Sequence, residues 1–138
     1  MSTGQIFLTL ASLVLLGIIA MNIQQMYVQS VNRTVDNQMT NDAINFGRDI
    51  SEELQSYSFR YDSLDAHFGD LDDETDPDRR LSHVSTVGEQ FYATVDLSNE
   101  QTLAHGQTGR MATIRVFEEM TDSLQLKARY VTAVARLN

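Results

Sequence analysis

The chain has 138 residues, one proline, no cysteine and a net charge of −9 from 19 acidic against 10 basic residues. Such a polyanion repels a phosphate backbone, which argues against nucleic acid as a partner, and the missing thiols exclude disulfides, thiolate metal sites and cysteine nucleophiles. A chain this short holds one small domain once its apolar start is set aside, and without disulfides that domain draws support from a long helix or from neighbouring copies.

Residues 6–23 read IFLTLASLVLLGIIAMNI; Thr9, Ser12 and Asn22 are the polar side chains, and no charged side chain precedes Arg33. As a helix this run spans roughly 27 Å, close to the thickness of a bilayer's hydrocarbon core. It predicts one membrane crossing and divides the chain into an apolar helix over 1–25 and an extracytoplasmic part over 26–138. A cleaved secretory signal is the plain alternative, but a basic flank is missing and Ala20-Met21-Asn22 stands where a small-x-small site would be. The nearest basic residues, Arg33 and Arg48, say little about orientation. The short flank before the run and the acidic, lysine-poor remainder place the larger part outside.

Helical periodicity continues past the apolar run. Tyr27, Val31, Val35, Met39, Ala43, Phe46, Ile50, Leu54 and Tyr57 recur at intervals of four or three and form one stripe. No proline interrupts it, and Gly17 and Gly47 cost about 1 kcal/mol each in a helix. One helix from about Gln5 to about Tyr57 follows, or two helices joined by a break over 22–25.

Residues 61–80 concentrate aspartates around one glycine and one proline and predict a loop. Alternation follows. Phe91, Ala93, Val95 and Leu97 share one strand face; Ala112, Ile114 and Val116 share a face of a second strand over 111–118. In a third strand, over 124–134, Leu124, Leu126, Ala128 and Tyr130 oppose Gln125, Lys127 and Arg129. Residues 119–123 suit a hairpin and 106–109 a looser turn. The fold class predicted is α+β: a long N-terminal helix, apolar and then amphipathic, whose stripe over 27–54 packs against a small C-terminal antiparallel sheet of three strands.

No set of residues converges on a reaction. Asp70, Asp72, Asp76 and Asp78 are speculative calcium ligands, but Thr75 stands at the glycine position of an EF-hand and Leu81 at its bidentate glutamate, so a solvated loop is the plainer reading. His67, His83 and His105 lack metal-ligand spacing. Ser82 and Ser85 near His83 and Asp78 lack a nucleophile elbow. Asn32-Arg33-Thr34 matches a glycosylation acceptor within the predicted helix, and Arg79-Arg80 offsets the acidic loop.

An uncharged apolar start a few residues after a glycine, a long amphipathic helix and a terminal antiparallel sheet resemble the type IV pilins and pseudopilins. The resemblance spans the whole layout but lies in motif over residues 4–23. It implies removal of the leader Met1-Ser2-Thr3-Gly4, so that Gly4 precedes the cut and Gln5 becomes a methylated amino terminus. It also implies a filament core of bundled helices carried by Ile6, Phe7, Leu8, Thr9, Leu10, Leu13, Val14, Leu15, Leu16, Ile18 and Ile19. Thr9 stands where that family has a glutamate, so the bundle must form by apolar burial, at about 1.5 to 3 kcal/mol per Leu or Ile side chain.

The expectation is therefore a structural, non-enzymatic subunit of a pilus-like filament with no cofactor beyond the speculative calcium. Its partners are other copies of itself, the inner membrane before assembly, and pilus or secretion machinery; its final place is the cell surface. A monomeric, single-pass anchored accessory or binding module of an envelope machine is the alternative, and a membrane-tethered hydrolase a third.

Overall fold

The computed structural model describes residues 2–137. Helix α1 runs over Thr3–Ser56 without a break, so the alternative of two helices parted at 22–25 is not what the chain adopts. Continuity follows from composition, since no proline lies in this stretch and each backbone N–H finds the carbonyl four residues earlier. Two compact units divide the chain, one ending at Gln38 and the other beginning at Met39, so the dividing line falls inside α1.

In the second unit α1 buries Ala43, Gly47, Ile50 and Leu54, a three-four spacing that keeps one face toward the sheet, with Met39 and Phe46 partly buried beside them. The stripe expected over 27–54 is thus shorter at its start. Tyr27, Val31 and Val35 are 71%, 43% and 38% exposed and do not join the core. After Ser56 the chain tightens into a 3-10 turn, Tyr57–Ser63, that leaves helical geometry at Arg60. A five-residue helix α2, Leu64–Phe68, then adds Leu64 and Phe68 to the core. The loop expected over 61–80 therefore begins after α2. Within it Pro77–Arg79 forms a 3-10 turn capped by Asp76, whose carboxylate accepts from the Asp78 N–H at 3.0 Å.

The described residues form five strands: β1 (Leu81–Val84), β2 (Gln90–Leu97), β3 (Gln101–Thr102), β4 (Thr108–Glu119) and β5 (Leu124–Ala135). All pairings are antiparallel, in the order β1-β2-β4 with β5 on the far side of β4 and the short β3 beside the start of β4. The three expected strands are β2, β4 and β5; β1 and β3 are additional. The inward face carries Phe91, Ala93, Val95, Ala112, Ile114, Val116 and Val134, all at most 1% exposed, and covers the Met39–Leu54 portion of α1. The β4–β5 hairpin closes through the Met120 N–H donating to the Ser123 carbonyl at 2.8 Å.

One expected register fails. Val116 pairs with Ala128 but Phe117 pairs with Leu126, so Lys127 is the extra residue of a β-bulge. A side-chain period of two breaks at such a point, and Leu126 leaves the inward face and stands 49% exposed.

Candidate functional site

Residues 6–19 of α1 present an apolar surface on every side. Ile6, Phe7, Leu8, Leu10, Leu13, Val14, Leu15, Leu16, Ile18 and Ile19 lie between 47% and 70% exposed. The two hydroxyls within the run do not break that surface. Thr9 Oγ1 donates to the Gln5 carbonyl and Ser12 Oγ to the Leu8 carbonyl, both at 2.9 Å, so each is satisfied by the helix's own backbone. In a medium without water, every backbone and hydroxyl group here keeps a partner. Thr9 therefore acts as a quiet member of the apolar surface where a carboxylate would be its one charge.

Gly4 and Gln5 fall in the first turn of α1, where the Gln5 N–H donates to the Ser2 carbonyl at 3.1 Å. The apolar exposure also runs beyond the expected core, through Met21, Ile23, Met26, Tyr27 and Val28, each at least 56% exposed. Met21 and Ile23 belong to the apolar run over 6–23, whereas Tyr27 belongs to the stripe expected to cover the sheet. By length and composition α1 is a candidate membrane anchor.

The speculative calcium ligands do not converge. Among the described residues no three histidines or carboxylates are grouped for a metal. Local bonds occupy the loop instead: Arg79 bridges Asp72 and Asp73, and Asp73 accepts from both the backbone and the hydroxyl of Thr75, at 2.9 and 2.7 Å. Those bonds, led by the Thr75 hydroxyl, hold the Asp73 carboxyl below the ordinary aspartate range. Asp70 and Asp78 are exposed. Arg80 stacks on the Tyr92 ring at 3.4 Å and donates to the Glu74 carbonyl, so both arginines are engaged within the chain.

The remaining polar candidates have structural partners. His83 stacks on Phe46 at 4.9 Å, His67 packs by Tyr57, and His105 occupies a turn at φ 61°. Ser85 is buried and its hydroxyl accepts from the Glu89 N–H at 3.1 Å, so it forms no set with Ser82, His83 and Asp78. Asn32-Arg33-Thr34 lies exposed within α1.

These features define an α+β protein whose distinguishing surface is the all-round apolar start of its N-terminal helix, and whose second unit is a small antiparallel sheet domain. Compared with family models, with curated proteins and with solved structures, the chain matches none.

Proposed function

We propose that this chain is a structural subunit that polymerises through its apolar N-terminal helix into a type IV pilus-like filament at the cell surface. The observation that carries the reading is the all-round exposure of residues 6–19 with every hydroxyl in the run bonded to its own helix. Such a surface is stable in lipid or against like surfaces and unstable in water. Once the chain leaves the membrane, like helices are the available apolar partners, and many side chains at about 1.5 to 3 kcal/mol each supply the driving force without a charge pair at Thr9. The sheet domain forms the coat. Before assembly the helix holds the chain in the inner membrane, and the leader through Gly4 is removed so that a methylated Gln5 begins the mature subunit.

Negative-stain images of sheared surface material, probed for this protein, test the reading. Long fibres of uniform width are expected; recovery in the membrane fraction alone would replace it by a monomeric anchored module. Leu13→Lys puts a charge in the middle of the run and is expected to abolish fibres while leaving the sheet domain folded, as judged by circular dichroism of the detergent-solubilised chain. Mass spectrometry of the mature terminus checks the processing.

A further inference from the structure

The sheet ends in two strands that each have a neighbour on one side. β1 pairs with β2 alone and β5 with β4 alone. Among the described residues, the backbone hydrogen bonds of 124–135 run to β4, and none crosses the far side of the strand. β5 is 12 residues long, contains no proline, and exposes Leu126 and Val131 at 49% and 58%. A long, partly apolar edge presents a row of unmade backbone bonds that a second strand can take up.

Charge distinguishes the two ends. From Leu124 onward the sequence holds Lys127, Arg129 and Arg136 and no acid. Lys127 is paired with Glu118 and Arg136 with Asp62, whereas Arg129 is exposed and has no ion-pair partner among the described residues. Residues 70–89, which lead into, form and leave β1, hold seven acidic residues against two arginines, and both arginines are engaged within the chain. One end of the sheet is therefore cationic and the other acidic, in a molecule of net charge −9.

Strand direction decides how the ends can meet. Because every pairing is antiparallel, β1 and β4 run one way and β2 and β5 the other. In two copies lying side by side in the same orientation, β5 of one runs antiparallel to β1 of the next. A hydrogen-bonded ladder can continue there, and the contact repeats without closing on itself. We propose that the β5 edge docks on the β1 edge of a second copy of this chain, extending the sheet from subunit to subunit, with Arg129 set against the acid-rich flanks of β1. The inference rests on the filament reading for the shared orientation of the copies. β1 supplies four residues, so the contact is weak alone and gains strength where the apolar helices hold the copies together.

Thiol pairing tests it, since the chain has no cysteine of its own. Cysteines replace Ser82 or Val84 on β1 and Leu124 or Leu126 on β5, in pairs, since the strand registers set Ser82 level with Leu126 and Val84 level with Leu124. Within one chain these strands stand three strand spacings apart, about 14 Å, beyond the Cα separation of about 7 Å that a disulfide spans. Any disulfide therefore joins two copies. Mild oxidation of the full-length chain, in membranes and in sheared surface material, is expected to give a ladder of covalent multimers from at least one pair, with single-cysteine variants remaining monomeric. Monomer from all four pairs, or dimers from Leu126→Cys alone, would overturn the proposal. In the Ser82→Cys/Leu126→Cys background, Arg129→Glu is expected to lower the ladder yield about tenfold at low salt and Asp78→Arg to restore it. An unchanged yield would overturn the charge pairing. Wild-type fibres with no ladder would remove this contact and leave the filament reading intact; a ladder from cells that make no fibres would do the reverse.

Discussion

Glu118 is 5% exposed, and its carboxylate lies 3.0 Å from the ammonium of Lys127, the extra residue of the β4–β5 bulge. A buried carboxylate stripped of its cation is costly, so Lys127→Ala is expected to destabilise the chain by about 3 kcal/mol in denaturant unfolding. Replacing both partners with apolar residues of similar volume should cost far less, and a double-mutant cycle reads the difference. Thr94 is the opposite case: it is fully buried and its hydroxyl has no hydrogen-bond partner among the described residues. Thr94→Val keeps the shape and removes the orphaned group, with an expected gain of about 1 kcal/mol in the same measurement. Neither residue was legible from the sequence. Lys127 read as an ordinary outward residue of a regular strand, and a one-residue bulge leaves no local mark in the spacing of Leu124, Leu126 and Ala128.

Among elements, α1 was the most legible. Its apolar run, its three-four stripe from Met39 and its end near Tyr57 all follow from periodicity and the lack of proline, and the helix ends at Ser56. By helix propensity alone Gly47 is a tolerated defect, and packing reverses that. A Cβ there would stand 2.5 and 2.7 Å from Tyr130 ring carbons and 3.3 Å from Val116 Cγ2. The ring cannot readily retreat, because the Tyr130 hydroxyl donates to the Ile44 carbonyl at 3.0 Å on the same helix. Gly47→Ala gains about 1 kcal/mol of helix propensity and is expected nonetheless to lose roughly 1 to 3 kcal/mol overall by overpacking, measured as a lowered unfolding midpoint. The same exchange at Gly17 meets nothing within 4 Å. Strands β2, β4 and β5 were legible because alternation is strong where one face is buried. β1 and β3 were not: β1 is exposed or half-exposed throughout and β3 has two residues, so neither carries the pattern that burial imposes.

At the scale of the molecule, charge and apolarity are segregated along the chain. Acid acts on the carboxylates together, easing their mutual repulsion while removing those that hold specific partners. Asp73 is of the second kind: with its folded pKa below the ordinary range, its contribution is present above that range and is lost as pH falls through the folded value. Thr75→Val removes the principal cause, so the variant should lose less stability than wild type from about pH 5 to about pH 2, read by denaturant unfolding at each pH.

What the sequence determined by itself was the separation of an apolar helix from a polar α+β unit, because transfer from water depends on composition and on periods of 3.6 and 2 that can be counted along the chain. What the tertiary structure alone decided was where the covered stripe begins, which loop carboxylates are already bonded, the bulge that admits Lys127, and the glycine that lets Tyr130 approach the helix. Each of these depends on a contact between residues distant in sequence, and no local pattern encodes the distance at which two such surfaces meet.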